Sequence, residues 1–270
     1  MDNGLIKEIK KHLGEYKKNI LEIYEDGKWK RNNKPYPHIL PEQYKENNII
    51  DSDYYRKIND EISSKNIKLH PDFHHLNSSQ ALCFNLFFPI FFENKFNLLL
   101  NKILNNDIVE EEKIEKYGFE YIDEESNEDT NFDLYVKTNR TKYYFEIKYT
   151  EGGFGGAKNN ETYENIYNNI YKEKIRKIFR DVPPIKKFFK YYQLFRNLLY
   201  NDGYNIFVFP KDRVDLEKTI NDVKKKYCKE EQQKRIVILT IEEIVKIMLD
   251  SNNEEIIDHY KKFKEKYYLN

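Results

Sequence analysis

The sequence predicts an α/β fold, a mixed sheet flanked by helices with an added helical region ahead of it. Three observations carry this. Short strand-like runs recur in the middle of the chain, and the one from Phe132 alternates apolar and polar residues as a half-buried strand does. Apolar residues at helical spacing lie on either side of these runs. Read from Ser78, the order is helix, three strands, helix, strand, followed by extra elements.

The totals set bounds. A chain of 270 residues suits one compact α/β core with added helices. Lys plus Arg and Asp plus Glu both number 46, so net charge points to no partner, but the distribution does. Residues 106–131 hold eleven acids and two lysines, whereas 172–190 hold eight bases and two acids. Such separation favours a surface with one face attractive to an anion, or else solvated helix faces. With 23 Tyr and 18 Phe a core forms despite 34% charged residues. Cys83 and Cys228 have neither metal nor redox spacing and fit a reducing, cytoplasmic setting. A charged helix follows Met1 directly, so no signal peptide is expected. The most apolar run, Leu82 to Phe92, is broken by Asn85 and Pro89 and falls short of the ~18 residues of a membrane span.

In chain order, Ile6, Ile9, Leu13, Tyr16, Ile20 and Ile23 predict an amphipathic helix over 4–24. Pro35, Pro37 and Pro41 make 25–50 an irregular connection, and "DSDYYRKINDEISSKN" a short helix. "SSQALCFNLFFPIFFENKFNLLLNKIL" reads as a buried helix capped by Ser78 or Ser79 and bent or interrupted at Pro89. After an acidic linker, "GFEYID", "NFDLYVKT" and "TKYYFEIKYT" are the first three strands. Gly152, Gly153, Gly155 and Gly156 open a mobile loop, and a helical insertion fills about 160–181. Pro183 and Pro184 start a helix with the stripe Ile185, Phe188, Phe189, Tyr192, Phe195 and Leu199. "YNIFVFP" and "RIVILT" are further strands, and helices at about 241–249 and 253–267 finish the chain. The expected division is 1–65 as an N-terminal helical extension, 66–240 as the core with its insertion at about 152–182, and 241–270 as C-terminal helices.

The third strand carries charge where a plain solvent face would serve. Strand period puts Glu146 and Lys148 on one face and Phe145, Ile147 and Tyr149 on the other. If Asn139 and Arg140 form a two-residue hairpin loop, Thr138 faces Thr141 and Asp133 lies opposite Glu146. Like charges at ~5 Å destabilise a sheet unless something compensates, and a hard divalent cation is the natural candidate. Lys148 would then stand beside the water that attacks phosphorus. Glu-x-Lys by itself carries nothing, since it recurs at Glu8, Glu15, Glu93 and Glu111. The plainer account is a surface hairpin whose Lys148 screens two acids.

Asp133, Glu146 and Lys148, in this order of elements, resemble the PD-(D/E)XK nuclease superfamily and its restriction-endonuclease-like core. Asp133 matches the metal-binding aspartate and Glu146 and Lys148 the E-x-K. The proline that names the superfamily is replaced by Phe132. "SSQALCFNLF" with "EIKYTEGGFG" is similar to one set of restriction-endonuclease-like bacterial proteins. The resemblance covers about half the chain and leaves out the first 65 residues and the C-terminal helices.

The resemblance implies Mg²⁺-dependent (or Mn²⁺-dependent) phosphodiester hydrolysis, most often of DNA, in a restriction or defence setting. It makes Asp133, Glu146 and the Ile147 carbonyl metal ligands, Lys148 the residue that positions water, and Gln80 a supporting residue. Gln193, Arg196, Asn197 and Tyr200 share one helix face, where Gln193, Arg196 and Asn197 would meet nucleic acid. Arg176, Lys177 and Arg180 would hold a phosphate backbone. Cutting both strands often takes two active sites, so a homodimer is in keeping with it. Binding without cleavage, or cleavage of RNA or single strands, are the rival readings. "HPDFHH" gathers His70, Asp72, His74 and His75, but no second cluster has the spacing of a zinc site. Glu151 could add an outer carboxylate.

Overall fold

The structure, a computed structural model, describes residues 3–104, 112–122, 131–158, 160–200 and 202–269. Much of the acidic stretch between 106 and 131 lies outside these residues. The elements run in the order α1 Asn3–Asn19, β1 Gly27–Trp29, β2 Lys34–Tyr36, α2 Tyr55–Ser64, α3 Ser79–Phe92, α4 Phe96–Leu104 and β3 Ile114–Ile122. Next come β4 Asn131–Thr138, β5 Lys142–Ile147, α5 Glu161–Ile166, α6 Lys172–Ile178, α7 Ile185–Lys190 and α8 Tyr192–Leu198. Then follow β6 Tyr204–Phe209, α9 Val214–Tyr227, α10 Glu230–Lys234, β7 Ile236–Thr240, α11 Ile241–Leu249 and α12 Glu254–Tyr267. A five-stranded sheet has the order β3-β4-β5-β6-β7, and β1 and β2 form a separate pair. The larger sheet is mixed, since β3/β4 and β4/β5 are antiparallel and β5/β6 is parallel.

The chain forms two compact units. One comprises Lys113–Val208 and Arg213–Ile238, and the other Asp2–Glu112, Phe209–Asp212 and Leu239–Asn270. Residues 3–65, α3 and the C-terminal helices thus fall in the second unit.

In the first unit, Leu134, Val136, Tyr143, Phe145, Ile147 and Ile206 are buried on the strands. Helix residues Phe188, Phe195 and Tyr227 pack on one another, with Phe188 and Phe195 stacked at 5.5 Å and Phe195 edge-on to Tyr227 at 5.6 Å. The first strand begins at Ile114, ahead of "GFEYID", and bulges between Ile114 and Lys116. The stripe from Ile185 is not one helix. Tyr191, at φ −121° and ψ 45°, separates α7 from α8. The break turns α8 so that Leu194, Phe195, Asn197 and Leu198 are all buried. The glycine loop is not slack either: Gly155 O accepts from Gln193 N at 3.2 Å and Phe189 O from Ala157 N at 2.9 Å. Only Gly153, at φ +144°, needs to be glycine for its backbone angle. Helix α9 was unassigned by pattern, although Leu216, Ile220, Val223 and Tyr227 bury one face of it.

In the second unit, 25–50 is less irregular than its prolines imply, because β1 and β2 pair as a hairpin with Gly27 opposite Tyr36. A Cβ on Gly27 would lie 2.1 Å from Leu40 O, so only glycine fits there. Helix α3 is capped by Ser78, whose Oγ accepts from Ala81 N at 3.3 Å. The helix runs through Pro89 and ends at Phe92, and the interruption falls at Asn94, which takes φ 53°. A proline frees the carbonyl four residues back. That carbonyl, Asn85 O, pairs at 2.7 Å with His259 Nε2 of α12, so the helix continues without an orphaned acceptor.

Candidate active site

The hairpin between β4 and β5 sets the site. Thr138 N donates to Thr141 O at 2.9 Å across the turn. Thr138 Oγ1 accepts from Arg140 N at 3.2 Å and Thr141 N at 3.1 Å, which holds an Asn-Arg turn without glycine. The ladder pairs Lys137 with Lys142 and Leu134 with Phe145, and the same register carries Asp133 to the position opposite Glu146.

Two acids and an amine therefore meet. Lys148 Nζ lies 2.6 Å from Glu146 Oε1. Glu146 and Lys148 are buried, and Asp133 is half-buried. Asp133 Oδ2 accepts from Ile147 N at 2.6 Å, which locks the aspartate across the strand pair. Burial pushes the Asp133 carboxyl well above the usual aspartate range, Glu146 and then Glu120 push it further, and Lys148 and the Ile147 N–H only partly offset them. Burial works against the Lys148 ammonium, but Glu146, Glu151 and Asp133 outweigh it and hold its pKa above the usual lysine value.

Helix α8 closes the site from the other direction. Gln193 Nε2 donates to Glu146 Oε1 at 2.5 Å, while its Oε1 accepts from Lys148 Nζ at 2.9 Å. Asn197 Nδ2 donates to the second oxygen, Oε2, at 2.8 Å. Residues expected to meet a phosphate thus grip the carboxylate instead. The i, i+4 spacing of Gln193 and Asn197 is a legible signal; their partner is not. Arg196, on the same turn, lays its guanidinium over the Tyr192 ring at 5.2 Å. Tyr200 packs edge-on against Phe132 at 4.8 Å.

A cavity of about 300 Å³ opens beside this group. Asn131, Gln193, Asn197, Arg196 and Tyr192 line it, and Gly155 and Gly156 present backbone to it. Apart from Arg196 its lining is uncharged.

Pattern reading missed Arg213. Its buried guanidinium donates from Nη1 to Tyr149 O and from Nη2 to Glu151 O, both at 2.9 Å. Asp215 binds the same fork at 2.9 Å and 3.1 Å. The chain just beyond Lys148 is thereby fastened, and burial with bidentate pairing suits arginine and not lysine. Glu151 Oε2 accepts from Tyr149 N at 2.7 Å and so turns back on its own strand end.

The remaining expected residues have partners of their own. Gln80 belongs to the second unit, and its side-chain amide is bonded to His70 N at 2.8 Å and Lys68 O at 3.0 Å. Lys177 is exposed and paired with Glu173 at 2.6 Å. Arg180 caps the end of α9 through Lys225 O and Lys226 O, each at 2.8 Å. His74 and His75 pack edge to face at 4.6 Å, and burial, with nearby cations, pushes the His75 imidazole down to about 4. His70 Nδ1 accepts from Asp72 N at 3.1 Å.

Among the described residues no group of three or more His, Cys, Asp or Glu side chains could hold a metal. Asp133 and Glu146 are a pair, and a pair is what Mg²⁺ commonly takes from protein, with water and phosphate oxygen completing its shell. Burial first, and then Glu146 and Glu120, disfavour the ionised Asp133, and paired carboxylate oxygens are donors of the kind a hard divalent cation takes.

A mixed sheet bearing an acid pair and a lysine in this way is consistent with an endonuclease-like α/β protein. The chain belongs to the family described as Restriction Endonuclease associating with ARP, whose model matches residues 10–268. That membership supports a nuclease or defence role. No curated protein and no solved structure matches the chain. No helix among the described residues is long and apolar enough to cross a membrane.

Proposed function

We propose that this protein is a PD-(D/E)XK-type endonuclease that hydrolyses phosphodiester bonds in double-stranded DNA with Mg²⁺ or Mn²⁺. The observation that carries this reading is the meeting of Asp133, Glu146 and Lys148 at one end of the β4/β5 ladder, with Lys148 Nζ 2.6 Å from Glu146. Asp133, Glu146 and the Ile147 carbonyl would hold the cation. When bound, it would polarise the phosphoryl oxygen and lower the pKa of water.

The chain's own residues do the rest. Lys148 holds the attacking water by hydrogen bond and opposes the charge that develops on phosphorus. Water gives up a proton to solvent and forms the new P–O bond as the bond to the leaving sugar oxygen breaks, and that oxygen takes a proton from solvent. Gln193 and Asn197 fix the Glu146 carboxylate so that its orientation is set before substrate arrives. Arg196, at the rim of the neighbouring cavity, meets a flanking phosphate. A homodimer would supply the second active site for the second strand.

The test is cleavage of supercoiled plasmid, linear duplex, single-stranded DNA and RNA, each with Mg²⁺, Mn²⁺ or EDTA. Duplex cutting that needs metal and is lost in Lys148→Ala and Asp133→Ala, both folded, supports the reading. Cutting confined to RNA or single strands would replace the substrate. Binding without cutting would make the protein a nucleic-acid-binding module, and equal cutting by all three proteins would place the activity elsewhere.

A further inference from the structure

We infer that α6 and the C-terminal end of α9 together form a cationic ridge that binds the phosphate backbone of nucleic acid outside the carboxylate site. The inference rests on the nucleic-acid reading of that site and concerns a separate surface. The two segments are some fifty residues apart in sequence, and hydrogen bonds join them. Lys229 Nζ donates to Lys177 O at 2.7 Å, Arg180 N to Tyr227 O at 2.8 Å, and the Arg180 guanidinium to Lys225 O and Lys226 O at 2.8 Å.

Two basic segments thus become one surface. Lys172, Arg176 and Lys177 are exposed on α6, and Lys225 and Lys226 on α9. Residues 172–181 and 222–231 hold nine bases and five acids. Glu173 is paired with Lys177 and Asp181 with Arg180, which leaves Asp222 on α9 and the Glu230–Glu231 pair that opens α10. The whole chain has a formal net charge of zero, so this concentration is local and not compositional. Basic residues in a last helical turn commonly complement the helix dipole. Here Arg180 and Lys229 already serve the exposed carbonyls, and the remaining cations exceed that need.

The ridge has a defined place in the unit. Phe195 packs against Phe179 at 6.0 Å and Tyr227 at 5.6 Å, directly beneath the joined segments. Phe195 sits midway between Gln193 and Asn197 in sequence, and two helical steps turn it by ~200°, away from Glu146. The cations therefore lie across α8 from the carboxylates, beyond the Phe179 and Tyr227 rings. A surface that gathers this many cations suits a partner with many regularly spaced negative charges, and a nucleic-acid backbone engaged by the same unit is such a partner.

The test is binding in EDTA, where no strand is cut. Fluorescence anisotropy of a duplex of about 30 base pairs is followed from low to high salt for the wild type and for a Lys172→Ala, Arg176→Ala, Lys225→Ala, Lys226→Ala variant. The inference expects at least about tenfold weaker binding and a log–log salt slope smaller by about three to four. A Lys225→Glu, Lys226→Glu variant alters only exposed side chains and guards against misfolding in the first. Unchanged affinity and slope in both variants, or no salt-dependent binding by the wild type, would overturn the ridge. Cleavage with Mg²⁺ judges the active site separately. A wild type that cuts while the ridge variants bind normally sinks only the ridge. A wild type that binds through the ridge and never cuts sinks only the nuclease.

Discussion

Asn197 Nδ2 donates to Glu146 Oε2 at 2.8 Å, across 51 residues of sequence. With Gln193 on the other oxygen, this contact joins α8 to the acid of β5. It also accounts for a polar residue that is buried in a helix of Leu, Phe and Leu. An amide is neutral, so it satisfies the carboxylate without cancelling its charge, and the charge stays available for a cation.

Asn197→Asp should therefore be far worse than Asn197→Ala. The alanine loses one buried hydrogen bond, about 1–3 kcal/mol with its unsatisfied partner. The aspartate sets a second carboxylate against Glu146, and a buried, uncompensated charge costs about 3–5 kcal/mol. Thermal melting at neutral pH should rank wild type, alanine, then aspartate. An aspartate variant as stable as wild type would mean that the two side chains do not meet.

Gln193→Ala should lower cleavage by about 10–100-fold in kcat with little loss of DNA affinity, because Gln193 bridges Lys148 and Glu146 and acts through them. A rise in KM with unchanged kcat would assign it to substrate binding instead.

Asp133→Asn separates stability from chemistry. The Asp133 carboxyl is raised in the folded protein, so between its ordinary value near 3.8 and the folded value the native state binds the extra proton. That contribution is present at low pH and is lost as pH rises through the folded pKa. In metal-free protein at pH about 8 the asparagine variant should thus melt at or above wild type, while cleavage falls by about a hundredfold or more. Clear destabilisation in EDTA would show that burial and the neighbouring acids do not disfavour the ionised Asp133.

Arg213→Lys should destabilise the first unit by about 2–4 kcal/mol and reduce cleavage, since a lysine cannot reproduce the fork to Tyr149 O, Glu151 O and Asp215. Proteolysis near residues 149–156, compared between variant and wild type, reads the loosening directly.

His259 gives pH dependence of the opposite sign. Burial pushes its imidazole down to about 4 from 6.5, so the unfolded chain takes the proton first. Its contribution is complete above pH 6.5 and is lost as pH falls towards 4. His259→Phe should remove that component and cost about 1–3 kcal/mol at pH 7, because Asn85 O, freed by Pro89, loses its partner. A variant with the wild-type acid profile would show that other groups govern it; buried His38 and His75, also shifted down, are the next candidates.

Local chemistry made several features legible before any coordinates. The Thr138–Thr141 turn determines the register that brings Asp133 towards Glu146, because side-chain direction alternates strictly along a strand. Ser78 as a helix cap and the two closing helices, α11 and α12, follow from capping and apolar spacing in the same way. Tertiary structure decided the rest. Gln193 and Asn197 have the same spacing whether they face solvent, phosphate or Glu146, and only the break at Tyr191 and the burial of α8 select the last. Arg213, the passage of α3 through Pro89 and the joining of two basic segments depend likewise on groups far apart in the chain. Periodicity records which way a side chain points; hydrogen-bond partners are set by what folding leaves within about 3 Å, and a linear pattern does not contain that distance.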